Sequence, residues 1–262
     1  MDLSLSGKKA VVCGSTQGIG RAAAEELALL GAEIILVARN EEKLRETIAS
    51  LPVVAEIQHS YIVADFNDPA SLGDRIQTFI ATNGPCHILV NNTGGPPGGP
   101  IVSARLEEFE SAFRNHLMCN HVLATTLLPG MMEARYGRII NVISTSVKQP
   151  LKGLGVSNTI RAAVANWSKT LSGEVAIHGI TVNNVLPGAT KTQRLESIIS
   201  GKAGKTGVDV SSVEEEMIHE IPAGRFADPS ETAAAIAFLA SPAAAYINGI
   251  NLPVDGGRTG CL

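Results

Sequence analysis

Three glycines set the first constraint. Gly14, Gly18 and Gly20 stand in Val11-Val12-Cys13-Gly14-Ser15-Thr16-Gln17-Gly18-Ile19-Gly20, between an apolar run and a helical period. Gly14 permits a tight turn, Gly18 lets backbone approach a ligand, and Gly20 lets helix and strand pack closely. A helix that opens there presents free N–H groups and the positive end of its dipole, which suits an anion such as a dinucleotide pyrophosphate. A glycine trio alone is a weak signal. At a strand-to-helix junction it is a specific one.

The rest of the chain repeats that strand-to-helix unit. Apolar runs at 10–13, 34–37, 57–63, 87–90, 138–143, 180–185 and 250–254 hardly alternate, as expected of strands buried on both faces. Helical periods lie between them. Ile19, Ala23, Leu27 and Leu30 make one stripe, closed by Gly31; Asn40 caps a second helix lined by Leu44, Ile48 and Leu51. Leu72, Ile76 and Phe79 line a third, Phe109, Phe113, Leu117, Leu123 and Leu127 a long fourth, and Ile160, Val164, Trp167 and Leu171 a fifth. The expectation is a seven-stranded parallel α/β sheet, doubly wound, with helices on both faces, spanning 1–262 as one domain. Ligands of such sheets bind at the carboxyl ends of the strands. The run Gly94-Gly95-Pro96-Pro97-Gly98-Gly99-Pro100 falls on that edge, either as a rigid loop or as a wall of the site. The polar segment 193–220 falls there too and is expected to be a mobile lid.

Composition excludes other classes. A net charge of −4, with 21 scattered basic residues, argues against nucleic-acid or anionic-membrane partners. Cys13, Cys86, Cys119 and Cys261 share no metal-ligand spacing, so no metal is expected, and buried thiols are the reading for Cys13 and Cys119. No apolar stretch approaches the length of a membrane span, and the opening residues do not read as a signal peptide. A cytoplasmic protein is the expectation.

The glycine loop is one residue longer than Gly-x-Gly-x-x-Gly, and in this it resembles the short-chain dehydrogenase/reductase family, with Cys13 where threonine is usual. Asn91-Asn92-Thr93-Gly94 is similar to the family's Asn-Asn-Ala-Gly. Pro187-Gly188-Ala189-Thr190-Lys191-Thr192 is similar to its Pro-Gly segment, and Pro253-Val254-Asp255-Gly256-Gly257 to its last strand. Arg225, Pro229 and Glu231 match the start of its last long helix. The overall pattern is of the 3-oxoacyl-acyl-carrier-protein reductase type. The resemblance implies a Rossmann fold and a dinucleotide held by Gly14 to Gly20, including Ser15, Thr16, Gln17 and Ile19. It further implies contacts from Asp65, Phe66, Asn92, Thr93, Gly94, Pro187, Gly188, Thr190 and Thr192. Arg39 lies 19 residues after Gly20, where an acid would bond the ribose of NAD and a cation suits the 2′-phosphate of NADP. NADP(H) is therefore preferred and NAD(H) admitted, with Asn40 adding a hydrogen bond. An ordinary surface arginine at 39 and a simple turn residue at 65 are the alternatives.

The catalytic positions depart from the family. Its carbonyl reducers use Ser, Tyr and Lys with a supporting Asn; the tyrosine gives a proton as hydride arrives. Ile139-Ile140-Asn141-Val142-Ile143-Ser144 resembles the fifth strand ending in the catalytic serine. Thirteen positions on, Ser157 stands where tyrosine is expected, and Arg161 where lysine is; Ala162-Ala163-Val164 continues the pattern. Counting back 13 from Pro129 puts His116 at the asparagine position, beside Asn115. An aliphatic hydroxyl is a far weaker acid than a phenol, and losing a general acid costs roughly 10²- to 10⁴-fold. Arg161 keeps a positive charge that could hold ribose but cannot relay a proton.

Three readings follow. The chain is an NADP(H)-dependent oxidoreductase on a small carbonyl or alcohol substrate, with Ser144, Ser157, Arg161 and His116 at the site and His116, Lys148 or Lys152 as proton donor. Or it binds the dinucleotide without redox chemistry, as a regulatory module. Or it runs a hydration or elimination on the same scaffold. The resemblance also implies a homotetramer, or a homodimer, through the fourth and fifth helices with Leu117, Leu123, Leu127, Trp167 and Leu171; the alternative is that these stripes face the chain's own sheet.

Overall fold

The computed structural model describes residues 1–54 and 57–261. Seven strands form one parallel sheet: β1 (Lys9–Cys13), β2 (Glu33–Ala38), β3 (Ser60–Val63), β4 (Ile88–Asn91), β5 (Gly137–Val142), β6 (Ile180–Pro187) and β7 (Asn251–Val254), in the order β3-β2-β1-β4-β5-β6-β7. The doubly wound fold is as expected. The order reverses between β1 and β4, which opens a crevice at their carboxyl ends.

The unbroken apolar runs now have their reason. On one face Ala10, Val12, Ile34, Leu36, Ile88 and Val90 pack against α1 (Gly18–Leu29), α2 (Glu41–Ser50) and the last helix. On the other, Val11, Cys13, Ile35, Val37 and Leu89 pack against α3 (Pro69–Asn83) and the long fourth helix. In the central strands β1, β2 and β4 both parities are buried, so both read as apolar. Among the described residues, no helix is long and apolar enough to cross a membrane.

Helix ends follow local chemistry. Gly31, at φ +91°, ends the α1 turn in the left-handed region, and Asn40 caps α2 by accepting from Lys43 N–H at 3.0 Å. Asp68 caps α3, with Pro69 at its first position.

The structure corrects several expectations. The third strand starts at Ser60, not at 57. The long fourth helix is α4 (Leu106–Phe113), a π turn (Arg114–Met118) and α5 (Cys119–Glu133). Its inward stripe is Ala112, His116, Cys119, Leu123 and Leu127, so Phe113 faces solvent. Leu123 and Leu127 are fully buried against the chain's own sheet and cannot carry a subunit contact. The segment 193–220, expected as a lid, holds α7 (Gln193–Thr206) and α8 (Val210–His219), joined through Leu195, Ile199, Ala203 and Val213. The fifth helix of the sequence is α6 (Gly155–Val175), and α9 (Pro229–Ala240) opens with Asp228 and Glu231 reciprocally capping it. Arg225 grips Glu231 with two bonds of 2.7 and 2.6 Å.

Candidate active site

The glycine turn is built by exclusion. Gly14 has φ +58° and Gly18 φ +54°, and a Cβ on Gly14 would stand 2.3 Å from the Asn92 carbonyl oxygen. On Gly20 it would stand 2.2 Å from the carbonyl oxygen of Gly14. The Asn92 side chain donates to the carbonyls of Cys13 and Gly14 at 3.3 and 3.2 Å, tying the end of β4 to the turn. Gln17 gives α1 no side-chain cap, so its first N–H groups are left for an anion. The Ser15 hydroxyl is buried without a partner among the described residues. A glycine-walled cradle, an uncapped helix start and an orphan hydroxyl together fit a dinucleotide phosphate.

Other residues expected at the cofactor gather on the same edge. Thr192 caps α7 and rests its methyl against Gly18, 3.0 Å from where a Cβ would be. Thr190 is buried beside Gly188, and Gly188 lies under Asp255, whose Cα would be 2.7 Å from a Cβ there. Arg39 is exposed at the end of β2, and no described residue pairs with it. One Asn40 oxygen is already engaged as the α2 cap. One oxygen of Asp65 is engaged in a turn, accepting from Asn67 at 3.0 Å.

Beyond the cradle lies a cluster of polar side chains. His116 is buried at the π turn and bonds Thr93 Oγ1 through Nδ1 at 2.6 Å. Burial first, then the charges of Arg161 and Arg194, hold its pKa well below 6.5. That environment favours the neutral imidazole over the imidazolium that a proton donor here would need. Arg161 comes off α6, is buried, and donates to the Val142 carbonyl at the end of β5 at 3.0 Å. Burial, with Arg194 nearby, lowers its pKa to about 10, so it stays charged. Ser157, one turn earlier on α6, is buried, and its hydroxyl bonds no described residue. Ser144 follows β5, with its Oγ accepting from Ser146 N–H at 3.1 Å. Asn158 clamps the loop between them, donating to the Leu151 carbonyl at 2.8 Å. Lys152 is exposed on that loop and Lys148 half-buried.

Sequence reasoning missed Arg194. It sits in the first turn of α7 and donates to the Pro96 carbonyl at 2.6 Å. A signal was present: a cation at the start of a helix stands at the end its dipole disfavours. Cys13 and Cys119 are buried as expected, and burial pushes the Cys119 thiol up to about 12. Among the described residues, no His, Cys, Asp and Glu cluster could hold a metal.

Comparison with known proteins agrees with this geometry. The family model described as "Enoyl-(Acyl carrier protein) reductase" matches residues 14–259. The 3-oxoacyl-[acyl-carrier-protein] reductase of Vibrio cholerae is 34% identical over 257 residues, 97% of this chain and 98% of its own. L-sorbose reductase from Gluconobacter frateurii, solved with NADPH and L-sorbose, is 34% identical with a TM-score of 0.92 over all of both chains. YwfH, an NADPH dependent reductase involved in bacilysin biosynthesis, is 28% identical with a TM-score of 0.90, covering 98% of this chain and 100% of its own. Similarity over the whole length, on one sheet order and one glycine turn, makes the chain a member of the short-chain dehydrogenase/reductase family.

Proposed function

We propose that the protein is an NADP(H)-dependent oxidoreductase that interconverts a carbonyl and its alcohol, with Ser144, Ser157 and Arg161 at the reacting centre. The observation that carries this is the buried Arg161 cation, fixed to the end of β5 beside the crevice with no described acid to neutralise it. The family has its lysine at this register and its tyrosine at that of Ser157. The relatives named for NADPH and for carbonyl reduction support the same chemistry.

The residues fit the nucleotide. Gly14 to Gly20 would hold its pyrophosphate and Arg39 its 2′-phosphate. Asp65 would meet the adenine with its free oxygen, flanked by Phe66. Asn92, Thr93, Gly94, Pro187, Gly188, Thr190 and Thr192 would line its nicotinamide half. When bound, the nucleotide supplies or accepts hydride. Reduction of a carbonyl leaves negative charge on oxygen, and Arg161 stabilises that charge as it develops without changing protonation. Ser144 and Ser157 can donate hydrogen bonds to the same oxygen. A serine hydroxyl is too weak an acid to be the source of the proton, so an ammonium, Lys148 or Lys152 on the loop after Ser144, would deliver it. His116, bonded to Thr93, positions the end of β4. The α7–α8 segment acts as the substrate lid. A homotetramer, or a homodimer, would use the exposed Phe113 and Met118, and a monomer by light scattering would remove that part.

Arg161→Met tests the reading. It should bind NADPH within about tenfold of the parent and lose on the order of 10²- to 10³-fold in turnover. Parent-like turnover in that variant would contradict it. Tight NADPH binding with no oxidation across a carbonyl panel would instead favour the regulatory or non-redox reading, which the Ser157 and Arg161 replacements motivate.

A further inference from the structure

Arg161 and Arg194 converge on one point. A Cβ built on Gly95 would lie 3.7 Å from a terminal nitrogen of Arg161 and 3.5 Å from one of Arg194. Arg161 is buried and Arg194 half-buried. Among the described residues neither guanidinium has a carboxylate within 4.0 Å. The third group facing them, His116, is neutral and already bonded to Thr93.

This arrangement is unfavourable for the protein alone. Two like charges share a partly desolvated space, where each is costly without a partner. The dipole of α7 opposes Arg194 as well. Against these stands one hydrogen bond to Pro96. An anion arriving between the guanidiniums would remove the repulsion and restore the lost solvation. The phosphates of the nucleotide have their own places, at the uncapped start of α1 and at Arg39. An anion at Gly95 therefore belongs to the substrate.

Resting on the oxidoreductase reading above, we propose that Arg194, backed by Arg161, receives a carboxylate of the substrate, so that the substrate class is an oxo acid and its hydroxy acid. Nε and one terminal nitrogen of Arg194 remain free after the Pro96 bond, and a planar guanidinium suits a carboxylate better than a point charge does. The anchor also brings the acid to the carbonyl edge lined by Gly94 and Gly95, so binding and lid placement share one residue.

The test uses the full chain with NADPH and two probes, acetoacetate and its ethyl ester, which differ in one charge. Calorimetric titration of the NADPH complex should show acetoacetate binding at least about tenfold tighter than the ester. Arg194→Gln should erase that ratio, and Arg194→Lys should keep part of it. Equal binding of acid and ester, or no binding of acetoacetate at millimolar concentration, overturns the proposal. So does an Arg194→Gln protein that loses NADPH affinity about tenfold while the acid-to-ester ratio stands, since the anion is then a cofactor phosphate. Binding needs no turnover, so the two readings fail separately. Arginine-dependent acid preference with no NADPH consumed keeps the anion site and sinks the oxidoreductase. NADPH oxidation with the ester as good as the acid does the reverse.

Discussion

The two halves of the sheet are held together by different physics. β1, β2 and β3 are joined by apolar packing, with Val11, Val12, Ile34, Ile35, Leu36 and Val37 fully buried. β4 to β7 carry a ladder of asparagines in register. Asn91 donates to Asn141 at 2.8 Å, Asn141 to Asn184 at 3.0 Å, and Asn184 to Asn251 at 2.8 Å. Asn141 also donates to Ser168 on α6. An apolar face tolerates small slips, whereas a buried amide left unpaired costs about 1–3 kcal/mol. The polar half is therefore pinned in register, and it is the half that carries Ser144, Ser157 and Arg161. The apolar half carries the glycine turn, which is shaped by close backbone contacts and tied to β4 by the Asn92 side chain. On the proposed function, one half would make room for a ligand by excluding side chains and the other would align side chains to act on it.

The sharpest break in that comparison is in the turn. Gly20→Ala places a Cβ 2.2 Å from a carbonyl oxygen and should cost about 3 kcal/mol in stability, with nucleotide affinity lost. Gly94→Ala meets nothing within 4 Å and has no positive φ, so urea unfolding should move by less than about 1 kcal/mol. If both variants unfold alike, the turn is not shaped by exclusion.

In the ladder, Asn141→Ala strands Asn91, Ser168 and Asn184 and should cost about 2–4 kcal/mol. Ile35→Val, in the apolar half, should cost about 0.5–1.5 kcal/mol. Equal urea midpoints would erase the distinction between the halves.

At the nucleotide, Arg39→Glu should weaken NADPH by about tenfold or more and spare NADH. Unchanged discrimination would show that Arg39 is only a surface residue.

The smallest effect is in pH. Burial lowers the pKa of His116, and to a lesser degree of His87, below 6.5. Above 6.5 both folded and unfolded forms are neutral and no stability is lost. As pH falls below it, the unfolded chain takes up protons that the folded one refuses, so stability falls at up to about 1.4 kcal/mol per pH unit per proton. His116→Asn should flatten the acid limb of melting temperature against pH, and an unaltered limb would deny the neutral imidazole.

What could be read in the chain follows the same division. The glycine turn and the strands were legible because each rests on local residue types: Gly14, Gly18 and Gly20, and unbroken apolar runs. The α7 and α8 helices were not, because Gly201, Gly204 and many polar groups hide a stripe of only Leu195, Ile199 and Ala203. The π turn was invisible, since nothing in Arg114–Met118 departs from helical composition. The cluster at Gly95 was half legible. Arg161 and His116 came from register counting, but Arg194 reaches them from another element, and sequence spacing has no view across the crevice. The ladder escaped because each asparagine, taken alone, looks like one polar residue in an apolar strand.

The most direct test of the central claim is a fluorescence titration of the purified protein with NADPH and with NADH, followed by addition of carbonyl compounds, oxo acids included, to the tighter complex. The account predicts that NADPH binds more tightly and that its reduced-nicotinamide absorbance then falls as a carbonyl is consumed. Failure of either nucleotide to bind would contradict it.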